Sequence, residues 1–129
     1  PGVLAAHAVW VSDAEVAVLK SRGVGVAHNP ESNMKLASGT APVPAYLRAG
    51  VALGLGTDGA ASNNDLDMFE AMRMASMLHK LHTMDPRVVS AREALQMATI
   101  GGARALVVYY FNRDGGTRHI AATILEVGK

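Results

Sequence analysis

The chain of 129 residues contains no cysteine. Disulfides and thiolate chemistry are therefore excluded, and His, Asp and Glu remain as the side chains able to hold a metal. A reducing cytoplasm fits that composition. Charge of one sign is also lacking. Twelve basic residues face eleven acidic ones, for a formal net charge of +1, and they form no run that would bind nucleic acid or a membrane surface. A small molecule is the expected partner. The longest strongly apolar run, residues 105–111, falls far short of the roughly 20 residues a membrane span requires. The opening PGVLAAHAVW lacks a basic signal-peptide head, and because it starts with Pro we expect a longer reading frame. Internal repeats and low-complexity segments are absent.

What is present is apolar material for a core, half of the residues, arranged as alternating strand and helix patterns. Residues 3–9 read as a strand buried on both faces. Ser12 with Glu15 forms a capping box, Val16 and Leu19 supply an apolar stripe, and Gly23 stands where the helix should stop. Residues 24–27 read as a second strand, followed by a long polar loop, HNPESNMKLASGTAP, of the kind that carries function. A short helix over 44–49 ends at Gly50, and a third strand spans 51–55. The next helix, over 65–80, is predicted to bury Leu66, Phe69, Met72 and Ala75 and to expose Glu70, Arg73 and Lys80. Ser90 with Glu93 starts a further helix through Ala98 that continues or restarts across Gly101 and Gly102. This is an α/β fold with parallel strands. Residues 107–111 and 119–127, joined by NRDGG, read as an appended β-hairpin.

The stretch GLGTDGAASNND admits two chemistries. Gly54, Gly56 and Gly59 match the GxGxxG spacing of a dinucleotide-binding turn. Against that, Asp58, Asp65 and Asp67 put carboxylates where a phosphate would lie, and the acid expected about 20 residues on falls inside a helix. The alternative sets Asp58 at the carboxyl end of a parallel strand, where barrel enzymes gather catalytic groups. His7 closes the first strand and His28 the second, so three successive strands each end in a residue able to bind a metal or move a proton. His79 and His82, at i and i+3 on a helix, read as solvated residues.

AHAVWVSDAEVAVL, HNPESNMKL, GTDGAASNN and AREALQMATIGGARAL together resemble the second half of an amidohydrolase-superfamily enzyme. They are most similar to the methylthioadenosine/S-adenosylhomocysteine deaminases and related chlorohydrolases. The resemblance implies a partial TIM-like (β/α) barrel over residues 1–106, strands six to eight with their helices, and a divergent tail over 107–129. It implies a bound zinc or iron that makes hydroxide near neutral pH, which attacks a ring carbon bearing an amino group or chloride. His7 would orient the nucleophile and stabilise developing charge, and Asp58 would be a metal ligand that also shuttles the proton. His28, Asn29, Ser32, Asn33, Lys35 and Ser62 would lie on the substrate side. No His pair stands at i and i+2, so the first-strand HxH of that family is missing, as are its fifth-strand histidine and the neighbouring glutamate. The remaining ligands are then expected from an amino-terminal barrel half, leaving this chain inactive alone. A different expectation makes the chain a non-catalytic α/β module whose open strand edges are covered by forming a homo-oligomer. A third is the nucleotide-binding domain.

Overall fold

The computed structural model describes residues 3–105 and, as backbone alone, residues 107–112 and 118–123. Three short strands, β1 (Leu4–Ala6), β2 (Gly25–His28) and β3 (Leu53–Leu55), form a parallel sheet in the order β1-β2-β3. Ala5 pairs with Val26, and Ala27 with Gly54. Parallel neighbours need crossovers, and α1 (Asp13–Ser21) supplies the first, with α2 (Pro30–Lys35) and α3 (Val43–Ala49) supplying the second. The architecture is α/β.

Burial sorts the strands. Val26, Leu53 and Leu55 are buried, whereas Val3 is 56% and Leu4 37% exposed. The first strand is thus shorter and more open than its apolar run predicts. It is the sheet's edge among the described residues, and the chain leaves extended conformation at His7, whose φ is 64°. Helix α1 follows expectation: Ser12 and Glu15 form the reciprocal capping box, Val16 is buried, and Gly23 adopts φ +64° beyond the end.

The long polar loop contains a helix that the sequence pattern conceals. In α2, Pro30 occupies the first turn, where its missing N–H costs nothing, and the buried residues are Pro30, Ser32 and Asn33. A helix that buries polar side chains has no apolar period to read. Helix α3 brings fully buried Tyr46 to the core and ends at Gly50 in the left-handed conformation.

After β3 comes α4 (Ala60–Asn63), then α5 (Met68–Thr83), capped by Asp67, whose carboxylate accepts from the amides of Phe69 and Glu70. The predicted apolar face of α5 is displaced. Leu66 precedes the helix and is 64% exposed, Phe69 is 80% exposed, and the buried residues are Ala71, Ala75 and His79. Small residues at i and i+4 let α5 lie close against β3 and α2. The capping box at Ser90 opens α6 (Ala91–Gln96), which passes through a π-helical turn (Met97–Gly101) into α7 (Gly102–Ala105). No helix among the described residues is long and apolar enough to cross a membrane.

Beyond α7, β4 (Val107–Asn112) and β5 (Arg118–Thr123) pair antiparallel, with Val107 opposite Thr123 and Asn112 opposite Arg118. Most of the predicted NRDGG turn, and the predicted extension of the second strand to residue 127, lie outside the described residues.

Candidate functional site

The carboxyl ends of the three parallel strands form one rim, and two side chains meet there. His7 follows β1 directly, its amide donating to the Ala27 carbonyl at 2.8 Å. The next residue, Ala8, is also left-handed at φ 42°, and its carbonyl accepts the Tyr46 hydroxyl at 2.6 Å. Asp58 lies beyond β3 with φ 62°. Residues with a Cβ are strained in this region, and such strain persists where surrounding contacts over-determine the backbone, commonly at functional sites. The consequence of these two turns is that the His7 Nε2 stands 3.7 Å from Asp58 Oδ2.

Each member of the pair is held from below by α2. Ser32 donates its hydroxyl to Asp58 Oδ2 at 2.7 Å, and Asn33 Oδ1 lies 2.8 Å from His7 Nδ1. Both are 1% exposed. Asp58 also accepts from the Ser62 hydroxyl at 2.9 Å and from the Gly59 amide at 2.8 Å. The Ser32 hydroxyl, then the Gly59 amide and the Ser62 hydroxyl, hold its pKa well below the usual carboxylate range, at about 2, with a smaller contribution from His7. Asp58 is therefore a fixed anion at neutral pH.

A carboxylate has about four acceptor sites, and three donors leave room for a cation. The donor chemistry fits a hard or borderline divalent metal, yet a catalytic zinc takes three protein ligands. The described residues bring one carboxylate and one imidazole to this rim.

The tip of β2 behaves differently. His28 is fully buried, its Nε2 3.0 Å from Nε2 of His79 on α5, and the Nδ1 atoms of both rings lack a partner among the described residues. Burial, then the His79 and His7 charges, pushes the His28 pKa down to about 3; burial, then His82, lowers that of His79 to about 4. Both rings are neutral. The prediction that His79 is solvated is thus corrected, whereas His82 is exposed as expected. The signal was the spacing Ala71, Ala75, His79, one residue per turn on the buried face.

Of the other predicted residues, Asn29 is 6% exposed and donates to the Ala27 carbonyl at 3.3 Å. Exposed Lys35 ties α2 to α4 through the Ala61 carbonyl at 2.8 Å and the Asn64 side chain. Ser62 remains part-exposed beside Asp58. Two glycines of GLGTDG are used internally: a Cβ on Gly54 would stand 2.9 Å from Gly102 Cα, and one on Gly56 would strike Asn29 Oδ1. Gly54 and Gly56 thus serve close packing of the chain on itself, whereas a Cβ on Gly59 would meet nothing within 4 Å. Apart from this rim, Glu31, Asp65 and Glu70 bring carboxylate oxygens within 4.8 Å of one another. Asn63 donates to Glu31 at 2.9 Å, and burial, opposed by that bond, raises the Glu31 pKa, helped by the neighbouring acids.

Residues 2–110 match the model of the Amidohydrolase family. Over 106 residues the chain is 61% identical to a 5'-deoxyadenosine deaminase of Methanosarcina mazei, covering 82% of this chain and 24% of the relative. It is also 61% identical over 104 residues to a 5-methylthioadenosine/S-adenosylhomocysteine deaminase of Syntrophomonas wolfei, covering 81% and 24%. Among solved structures it superposes on a zinc-bound adenosine deaminase of Xanthomonas campestris with a TM-score of 0.77 at 50% identity, covering 79% of this chain and 23% of that one. A zinc complex of atrazine chlorohydrolase from Arthrobacter aurescens matches with a TM-score of 0.75 at 35% identity, covering 80% and 23%. The chain spans about a quarter of the length of the curated relatives it matches. The family model runs through all three parallel strands, the strained tips at His7 and Asp58, and the α2 residues beneath them: the chain belongs to the amidohydrolase family.

Proposed function

We propose that the chain forms strands six to eight of a metal-dependent (β/α) barrel hydrolase, and that His7 and Asp58 are its share of a site for hydrolytic deamination of an adenosine derivative. The observation that carries the reading is the His7–Asp58 pair, 3.7 Å apart at the tips of parallel strands and set by two left-handed residues. The deaminase relatives support the substrate class, and the zinc in the solved structures supports the metal. Zinc, or iron, when bound supplies a lowered water pKa and Lewis acidity near neutral pH.

Asp58 would hold the metal through the acceptor capacity its three donors leave open. In the reaction a water oxygen bonds to the ring carbon, the carbon–nitrogen bond breaks, one proton of the water leaves with the amino group as ammonia, and the other stays on the oxo product's ring nitrogen. Asp58 takes such a proton in transit; a carboxylate of such low basicity passes it on. His7 orients the attacking water and stabilises charge as it develops. Ser62, beside the carboxylate at the rim, faces the substrate side, and Asn29, Lys35 and buried His28 shape that side from the walls.

The test is a chimera in which residues 3–106 replace the matching segment of the Methanosarcina mazei 5'-deoxyadenosine deaminase. With zinc it should release ammonia from 5'-deoxyadenosine or methylthioadenosine, and Asp58→Asn should remove the activity, while the 129-residue chain alone shows none. A folded, zinc-loaded chimera inactive on these substrates would count against the reading.

A second reading, a self-associating module without catalysis, is favoured by the exposed apolar residues Val3, Leu4 and Trp10 along and beyond β1. Sedimentation of the isolated chain as a monomer at high concentration would dismiss it.

A further inference from the structure

Asn33 is 1% exposed, and its Nδ2 has no hydrogen-bond partner among the described residues. A buried amide group left unpaired is costly, on the order of 1–3 kcal/mol, and an apolar side chain of similar size would avoid that cost. The carboxamide must therefore be accounted for by its oxygen, which stands 2.8 Å from His7 Nδ1. The backbone around it is pinned on both sides, the Asn33 amide donating to Asn29 O at 3.1 Å and its carbonyl accepting from Ser38 at 2.9 Å. On the far side of the imidazole, Nε2 lies 3.7 Å from Asp58 Oδ2, beyond hydrogen-bond range, and that oxygen already accepts the Ser32 and Ser62 hydroxyls. Among the described residues a neutral His7 thus finds an acceptor for its ring proton at Nδ1 and none within range at Nε2.

We propose that Asn33 is a positioning residue, whose carboxamide oxygen fixes His7 as the Nδ1–H tautomer and turns a bare Nε2 toward Asp58. The tautomer follows from the contacts of the two side chains. Its catalytic meaning, an Nε2 lone pair ready for a proton beside the carboxylate, rests on the deaminase reading above. In histidine the hydrogen bond made by one ring nitrogen decides which nitrogen carries the proton. Asn33 makes that decision from a position only 1% exposed, and it acts on the reaction through His7.

The experiment is long-range proton–nitrogen correlation of the 129-residue chain carrying nitrogen-15 histidine, in alkaline solution where imidazoles are neutral. His7 is assigned by the loss of its signals in His7→Gln. Expected are a protonated, pyrrole-type shift at Nδ1 and a pyridine-type shift at Nε2; the reverse pattern overturns the proposal. Asn33→Leu should move His7 toward the Nε2–H form, and an unchanged pattern in that variant also overturns it. Should Asn33→Leu fail to fold, Asn33→Asp keeps an acceptor oxygen and should retain the Nδ1–H pattern, and its loss there counts against us equally. An inactive chimera with the Nδ1–H pattern intact would remove the deaminase reading and leave the positioning role standing.

Discussion

Three donors converge on Asp58, and the largest effect on its pKa comes from Ser32. Ser32→Ala should therefore raise the Asp58 pKa from about 2 toward the ordinary carboxylate value. Carbon-13 titration of the carboxyl group measures this, and an unmoved midpoint would refute it. The sign for stability follows: a carboxylate depressed in the folded state contributes above the unfolded value of about 3.9 and loses that contribution as pH falls toward about 2. The buried pair gives an acid sensitivity at higher pH. Unfolded histidines take up protons below about pH 6.5, whereas folded His28 and His79 stay neutral until about 3 and about 4. Stability should thus decline from about pH 6.5 downward. The urea midpoint of His79→Leu should fall less steeply over that range than that of the wild type, and parallel curves would sink the idea. At this scale His7 and Asp58 were legible, since each sits in a recognisable segment after a strand. His79 was not, because its burial depends on which face of α5 meets the sheet.

Among the elements, the capped helices α1 and α6 were readable because a serine and a glutamate three residues apart satisfy orphan amides locally, with no help from the rest of the fold. Helix α2 was not, and for α5 the helix itself was readable but most of its buried face was not. The first buries polar residues, and the second buries alanines and a histidine while phenylalanine faces outward, so tertiary packing overrode the apolar pattern in both. The glycines of β3 and α7 show the same priority, backbone meeting backbone. Gly54→Ala would place a methyl group 2.9 Å from Gly102 Cα. It should destabilise the chain by about 1–3 kcal/mol, visible as a lower urea midpoint, and an unchanged midpoint would show that α7 can retreat at no cost. Tyr46→Phe removes the hydroxyl that holds the Ala8 carbonyl. A loss of about 0.5–1.5 kcal/mol is expected by the same measurement.

For the whole molecule, the self-association reading is tested at the open side of β1. Val3 and Leu4 are exposed there, and β1 has no second strand partner among the described residues, the kind of edge that can recruit another strand. Leu4→Lys should reduce self-association in sedimentation velocity, and undiminished association would locate the contact elsewhere. Neighbouring residues of one helical turn, Ser32 and Asn33, grip an aspartate that follows the last parallel strand and a histidine that follows the first. The gap between acid and base is therefore gauged by a single peptide unit, so that breathing of the sheet, or exchange of the parts around it, would carry the two groups along together without altering their spacing.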